Sequence, residues 1–348
     1  MKTTFLSILG FLTLSIGYSQ KQFDIRTVAF YNLENLFDTI NDPTKDDEFS
    51  PIMELKGNKS KVYWDKIGKL SDVILQLGKE KANTSPAILG IAEIENEAVI
   101  QDLVKSENLK KKRYGIIHFD SPDKRGIDVA LLYQQRYFKP IHYEVFDPNI
   151  YDKNYKVYTR DILWVTGYLD DEIIHIIVNH WPSRRGGEAE SRPLREKAAY
   201  KVTQIIEKIR TNDNNAKIII MGDFNDDPIN SSLKNVLKTK ADKNDVKETD
   251  IYNPYEEMFK KGFNTLGYRD NINLFDQIMF TSPLLNKKGE KTYSSYKMFK
   301  SGIFNKRFLT QKSGRYKGYP FRSFSNGQYT GGYSDHYPVY IYLIKEKK

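Results

Sequence analysis

Eight short apolar runs recur along the chain: TVAFYNL (27–33), AILGIAEI (87–94), IDVALLY (127–133), DILWVTGYL (161–169), IIHIIVNHW (173–181), KIIIMGDF (217–224), LFDQIMF (274–280) and YPVYIYLI (337–344). Runs of this length, rich in β-branched and aromatic residues, read as strands buried on at least one face. Between some of them the apolar spacing becomes helical. Ser60 is placed to cap a helix whose stripe uses Trp64, Ile67, Leu70, Ile74 and Leu77; a second helix starting near Glu188 aligns Leu194, Ala198, Val202, Ile205 and Ile209. Buried strands with helices to cover their outer faces predict an α+β chain folded as a four-layer α/β/β/α sandwich.

Two segments fit neither period. Residues 38–60, DTINDPTKDDEFSPIMELKGNKS, are polar and turn-rich and read as a long loop. Residues 284–330 carry eleven Lys and Arg against one acid, Glu290, and interleave them with ten aromatic rings. Against a net charge of +9 for the 348 residues, the basicity is concentrated in this insertion, and an anionic partner is expected there. No tandem repeat or Pro- or Ser-rich linker divides the chain, and 39% of it is apolar. A single domain over residues 20–348 with a substantial core is therefore expected, as a monomer. Residues 1–19, with a lysine, an apolar run from Phe5 to Ile16 and small residues at Gly17 and Ser19, have the parts of a secretory signal. Export to the periplasm or the extracellular space follows as an expectation. That run is short for a span of roughly 20 residues, and no stable membrane span is expected in the mature chain. The lack of cysteine leaves the exported domain to rely on its core, without disulfides.

Candidate chemistry collects where the apolar runs stop. The first ends in Asn32, Glu34 and Asn35, the second in Glu93, Glu95 and Asn96, the fifth in Asn179 and His180, and the sixth in Asp223 and Asn225; Asp276 lies amid apolar neighbours, and Asp335 and His336 precede the last run. Each alone has a plain reading: Gly, Asp and Asn make turns, a strand-end Glu can be solvated, and a single His is usually an ordinary satisfied residue. Buried carboxylates, however, cost several kcal/mol unless paired or metal-bound, and their joint occurrence in this order argues for a shared site.

With these residues in this order, the chain resembles the endonuclease/exonuclease/phosphatase family of metal-dependent phosphoesterases, which includes DNase I-like nucleases. The resemblance rests on Asn32 in FYNLENLFD, Glu93 in GIAEIEN, Asp128 in RGIDVALLY, His180 in VNHWPSRRGG, Asp223 and Asn225 in GDFN, Asp276 in DQIMF, and Asp335 with His336 in SDHYPV, and it spans about residues 27–343. Where the family usually has glutamine before its metal-binding glutamate, this chain has Ala92. The resemblance implies a DNase I-like fold and a divalent cation, Mg²⁺ with Mn²⁺ or Ca²⁺ as alternatives, held by Glu93 and Asn32 with Asp335 close by and Glu34 as an additional ligand. It implies that Asp223 orients or deprotonates the attacking water and that Asn225 holds the phosphate or that water in line. It further implies that His336, bonded to Asp276, contacts the phosphate or moves a proton, and that His180 pairs with Asp128. No Cys, CxxC or HxxxH spacing supports a dedicated zinc site.

After His180, the run WPSRRGGEAESRPLR brings Arg184 and Arg185 forward as phosphate contacts, since the planar guanidinium suits phosphate oxygens. Cations interleaved with rings in 284–330 make a sequence-tolerant surface for nucleic acid; the alternative is a solvated insertion whose rings pack on the domain. The expected function is an exported metal-dependent phosphodiesterase acting on DNA or RNA. Within the family the rival is a phosphoesterase of sphingomyelin, other phospholipids or inositol phosphates; outside enzymes, it is a binding module on the same scaffold. The latter should have lost Glu93, Asp223, Asn225 or His336, and none is lost.

Overall fold

The computed structural model describes residues 21–268, 270–286, 290 and 292–347. The signal-peptide reading of residues 1–19 lies outside the described residues. Twelve strands form two six-stranded sheets. The first contains β1 (Phe23–Leu36), β2 (Ile88–Ile94), β3 (Tyr114–His118), β4 (Asp128–Gln134), β11 (Lys297–Ile303) and β12 (Val339–Glu346), in the order β11-β12-β1-β2-β4-β3. The second contains β5 (Phe138–Phe146), β6 (Ile162–Leu169), β7 (Glu172–His180), β8 (Ile218–Asp223), β9 (Ile251–Tyr252) and β10 (Asp276–Thr281), in the order β9-β10-β8-β7-β6-β5. Each sheet has one parallel pair at its centre, β1 with β2 and β7 with β8, and antiparallel strands on either side. Parallel neighbours need a crossover, supplied by helix α1 (Lys59–Gln76) in the first sheet and α3 (Glu188–Arg210) in the second. Helix α2 (Glu97–Lys105) packs beside α1, and its start is capped by Asn96, whose side chain accepts the Val99 N–H.

Period-two alternation sorts the strand residues into layers. On β1, Val28 and Phe30 face the second sheet while Ala29, Tyr31 and Leu33 face α1 and α2; on β8, Ile219 and Met221 face the first sheet while Ile218 and Ile220 face α3. A strand covered on both faces must be apolar at every position, which accounts for the unbroken IIIM of β8. Three apolar layers separate four structural ones, and the expected α/β/β/α sandwich is the observed fold.

Several local expectations need correction. The first helix begins at Lys59 after Asn58, which stands in the left-handed region, and Ser60 lies inside it without capping. Trp64 is 52% exposed, and the buried stripe runs through Val62, Tyr63, Lys66, Ile67, Leu70 and Val73. The basic insertion is not irregular throughout, because Lys297–Ile303 pairs with β12 as an edge strand. Among its rings, Tyr296, Phe304 and Phe324 are buried in the apolar layers while Phe299 and Tyr316 are exposed. Strands β3 and β5 carried weak signals: β5 is an edge strand with Pro140 at a register irregularity, a position where the missing N–H is tolerated.

The sandwich has one chemically distinct rim. There the parallel strands β1, β2, β7 and β8 end, and their antiparallel neighbours β4 and β10 begin. Gly222 permits the close pairing just below this rim: a Cβ there would lie 2.3 Å from the Asn179 carbonyl oxygen on β7. Gly222→Ala must therefore push β7 and β8 apart. Loss of about 1–3 kcal/mol in a urea melt is expected, and an unchanged midpoint would contradict this packing.

Candidate active site

One rung across the second sheet carries three of the site residues. Asp223 on β8 is in register with His180 on β7 and with Asp276 on β10. All three share the parity of inward-facing neighbours (Met221, Val178 and Ile278), so they project into the cleft between the sheets. Asn32 shares the parity of Val28 and Phe30 and projects into the same cleft from the first sheet. Its amide spans the gap, donating to Glu93 Oε1 at 3.1 Å and to Asp223 Oδ2 at 3.1 Å.

Glu93 reaches the cleft by a different route. Simple alternation would send it toward the helices with Leu89 and Ile91. Instead the register with β4 shifts between Ala92 and Ile94, and Glu93 adopts φ 60°. The matching irregularity on β1 places Glu34 and Asn35 at φ 51° and 50°, and Asn225 stands at φ 49°. A non-glycine residue in the left-handed region costs roughly 1–2 kcal/mol, and bulges of this kind re-aim side chains. As a result Glu93 Oε2 accepts the Asn35 N–H at 2.9 Å, and Oε1 lies 3.9 Å from His180 Nε2.

The pKa values of the two histidines are shifted in opposite directions. His336 Nδ1 bonds Asp276 Oδ2 at 2.6 Å, and its Nε2 lies 3.9 Å from Asp223 Oδ2. Burial opposes its protonation, but Asp276, then Asp223 and Asp335, overcome that and raise its pKa well above the ordinary value. His180 Nε2 is 3.6 Å from Asp223 Oδ2, and its buried Nδ1 has no hydrogen-bond partner. Burial, reinforced by Arg160 and Arg125, keeps it neutral. Burial also pushes the Asp223 carboxyl up to about 7, with the His336 charge opposing and Asp276 reinforcing the rise. A carboxylate poised near neutrality beside one cationic and one neutral imidazole is suited to accept a proton from water.

Other candidate residues sit differently from expectation. Asp128 does not pair with His180. It bonds His118 Nε2 at 3.0 Å and accepts from the Ser121 backbone N–H and hydroxyl, because both partners come from the adjoining β3 end and its loop. Arg184 is not a free phosphate contact: it donates to the Asn225 carbonyl at 2.9 Å, to Asp226, Asp227 and Asn230, and lies over the Phe275 ring. It clamps the loop after β8, helped by Arg195 Nε 2.7 Å from Asp226. Arg185 is exposed and lines a depression of about 830 Å³ with Gly187 and Tyr268. The Glu34 carboxylate is taken up by the N–H groups of Ser323 (2.5 Å) and Phe324 (3.3 Å) and by Arg322 (3.4 Å). Arg322 also bonds Asp335 at 3.0 Å. Glu34, expected as an additional metal ligand, is thus engaged as a tether for the basic insertion.

Four supporting residues went unread in the sequence. Lys66 is buried beneath the site, donating to the Glu34 carbonyl at 2.8 Å and Ser323 Oγ at 2.7 Å, and burial brings its pKa down to about 8 although Glu34 and Asp335 oppose the fall. A lysine four residues from both Val62 and Leu70 on a buried stripe was a readable signal. Arg160 holds the carbonyls of His180 (3.2 Å) and Trp181 (2.5 Å) and pairs with Asp123. His118 and Arg322 had no distinguishing pattern around them.

Among the described residues, donor groups suited to a divalent ion come together in three sets, each with ligand atoms within 4.8 Å of one another: two overlap in the cleft, Glu93 with His180 and Asp223, and Asp223 with Asp276 and His336, and the third is His118 with Asp120 and Asp128. The first set fits better, because His336 in the second is bonded to Asp276 and cationic. Glu93 is the partly exposed carboxylate of the first set and is oriented only by amide donors, as a hard cation with retained waters requires.

A four-layer sandwich with this cleft defines a DNase I-like hydrolase of phosphoester bonds. Residues 27–345 match the family model described as the Endonuclease/Exonuclease/phosphatase family, and the chain belongs to that family. No curated protein matches it at a significant level. Solved structures share the fold at low identity. A family protein from Bacteroides thetaiotaomicron is 18% identical with a TM-score of 0.54 over 94% of this chain and 97% of its own. A mannosyl-6-phosphatase from Bacteroides thetaiotaomicron is 18% identical with 0.53 over 91% and 99%. TDP2 from D. rerio, complexed with single strand DNA product, is 14% identical with 0.53 over 92% and 98%.

Because the folded state holds Asp223 with a pKa above its ordinary 3.8, its ionised form works against stability. The penalty is absent below about pH 4 and complete above pH 7. In metal-free protein Asp223→Asn should therefore raise the thermal midpoint at pH 8, on the order of 1–3 kcal/mol, with the gain vanishing at pH 4. A destabilised variant at pH 8 would contradict the assigned electrostatics.

Proposed function

We propose that the protein is an exported, divalent-metal-dependent phosphodiesterase that hydrolyses DNA or RNA. The observation that carries this reading is the rung His180–Asp223–Asp276 with His336 at one side and Glu93 facing it across the cleft. A Mg²⁺ ion at Glu93 would draw charge from a non-bridging phosphate oxygen. Asp223, next to Asn225, accepts a proton as a water oxygen attacks phosphorus. The bond from phosphorus to the leaving oxygen breaks, and that oxygen takes its proton from solvent. The protonated His336, held by Asp276, donates to a phosphoryl oxygen and stabilises the charge that grows there. Asn225 gives one amide hydrogen to the Trp181 carbonyl at 3.1 Å, which orients the rest of its amide toward the phosphate. Neutral His180 contributes a lone pair or an N–H without adding charge.

Two observations support nucleic acid as substrate. The positive charge of the chain is concentrated in the insertion that Arg322 tethers to the cleft, and the TDP2 neighbour is complexed with a single DNA strand. Export rests on residues 1–19 alone. Among the described residues no helix is long and apolar enough to cross a membrane.

Purified protein should cut plasmid DNA or RNA with Mg²⁺, and EDTA should abolish the cutting. Asn225→Ala and His336→Ala should each lower kcat by about 10²–10³ without a change in the circular dichroism spectrum. Turnover only of sphingomyelin, inositol phosphates or sugar phosphates in the same panel would refute the substrate, and full activity in EDTA would refute the metal.

A further inference from the structure

The insertion builds a second feature beside the cleft. A groove of about 760 Å³ opens between residues 311–330, the hairpin strand Leu266–Tyr268 and the loop at 51–54. It is continuous with the site: Asn35, whose N–H holds Glu93, and Asp335, which precedes His336, both line it. The two carboxylates at that end, Glu34 and Asp335, share Arg322, and the buried Lys66 ammonium lies close to both, so two cations offset two acids at the inner end of the groove. Its walls carry Tyr268, Tyr316, Tyr319 and Phe321. Tyr316 is 48% exposed and Tyr268 58%, although the fold offers ample apolar interior.

The groove is built rather than incidental. The Tyr319 ring lies flat on the hairpin backbone, where a Cβ at Gly267 would meet it at 2.4 Å. Phe321 is fixed on both sides, its N–H on the Leu309 carbonyl and its carbonyl on the Tyr333 N–H, each 2.7 Å. Gly332 lets the chain pass so close that a Cβ would lie 2.0 Å from the Arg322 carbonyl oxygen. Buried Lys66 ties Ser323 to the floor of the site. Rings held in advance lose little freedom when a flat ligand lies against them. Beyond the rings, the tip of the insertion places Lys312, Arg315 and Lys317 in solvent; Arg315 lies near the Tyr316 ring and pairs with Asp270, both partners more than half exposed, a contact easily exchanged for phosphate.

We propose that this groove is a subsite for one nucleobase of a single-stranded substrate, adjoining the scissile phosphate, with the next phosphates passing under Lys312, Arg315 and Lys317. The proposal rests on the nucleic-acid reading above. A phosphosugar would fill the groove but leave the outer cations without a partner, and a lipid headgroup offers no plane to the rings. Stacking of this kind is tolerant of sequence, so the subsite selects for the presence of a base and not for its identity.

The test uses the full mature chain carrying Asn225→Ala, so that strands bind without being cut. Fluorescence anisotropy in Mg²⁺ compares oligodeoxythymidylate with an abasic strand of the same length. The base-bearing strand should bind about tenfold more tightly. In Tyr316→Ala/Tyr319→Ala that ratio should fall toward one, and in Tyr316→Phe/Tyr319→Phe it should persist. A ratio near one in the parent, which needs no groove variant to fold, overturns the subsite, as does an unchanged ratio in the alanine variant. The two levels of failure separate: wild-type protein that cuts neither DNA nor RNA contradicts the nucleic-acid reading, whereas protein that cuts nucleic acid with a ratio near one contradicts only the groove.

Discussion

A carboxylate withdrawn from water must find a cation or several N–H donors, and the rim of this sandwich holds more carboxylates than one phosphate reaction needs. Most are visibly spoken for. Asp226 and Asp227 are matched by Arg195 and Arg184, Asp276 by His336, Asp128 by His118 and Ser121, Asp123 by Arg160, and Glu34 and Asp335 by Arg322 together with Lys66. In the cleft itself what remains is Glu93 and Asp223, which are held by amides and lie no nearer to a cation than the 3.9 Å between Asp223 and His336; Glu95, bound by the Asp38 N–H, has no cation either, and burial pushes its carboxyl up to about 8. Within the cleft, charge matching thus separates Glu93 and Asp223 from the acids that shape the site.

The second constraint is the pleat. The residues that end β7 and β8 and the one that begins β10 lie on one rung and all point into the cleft, because His180, Asp223 and Asp276 share the parity of the adjoining core residues. The first sheet follows the same rule with Asn32 and breaks it with Glu93, which reaches the cleft through a bulge and a left-handed backbone. The strain falls at Glu93, the residue proposed to hold the metal. The low apolar cost of this arrangement comes from Gly90, where a Cβ would meet Met221 Sδ at 2.6 Å; its absence allows the sheets to close just below the site.

The layers, the two long helices and the strand-end acids were legible in the sequence because period and breakpoints report burial directly. The GDFN, DQIMF and SDH segments indeed meet at one place. The His180–Asp128 pairing was misread and the ties of Arg184 to the loop after β8 were not foreseen, for a common reason: which donor meets which acid depends on loop paths that carry no periodic signal. The edge strands β5 and β11 were missed because an edge is half solvated and reads as polar or mixed. The long loop at 38–60 was legible as a loop, but its role as one wall of the groove depends on contacts with residues some 270 positions away in the chain.

The division of labour among the acids is open to a direct measurement, calorimetric titration of Mn²⁺ into metal-free wild type, Glu93→Gln and Glu34→Gln. One divalent site should be present in wild type and in Glu34→Gln and be lost or greatly weakened in Glu93→Gln. Equal Mn²⁺ affinity in Glu93→Gln and wild type would contradict the assignment of the cleft as the metal centre.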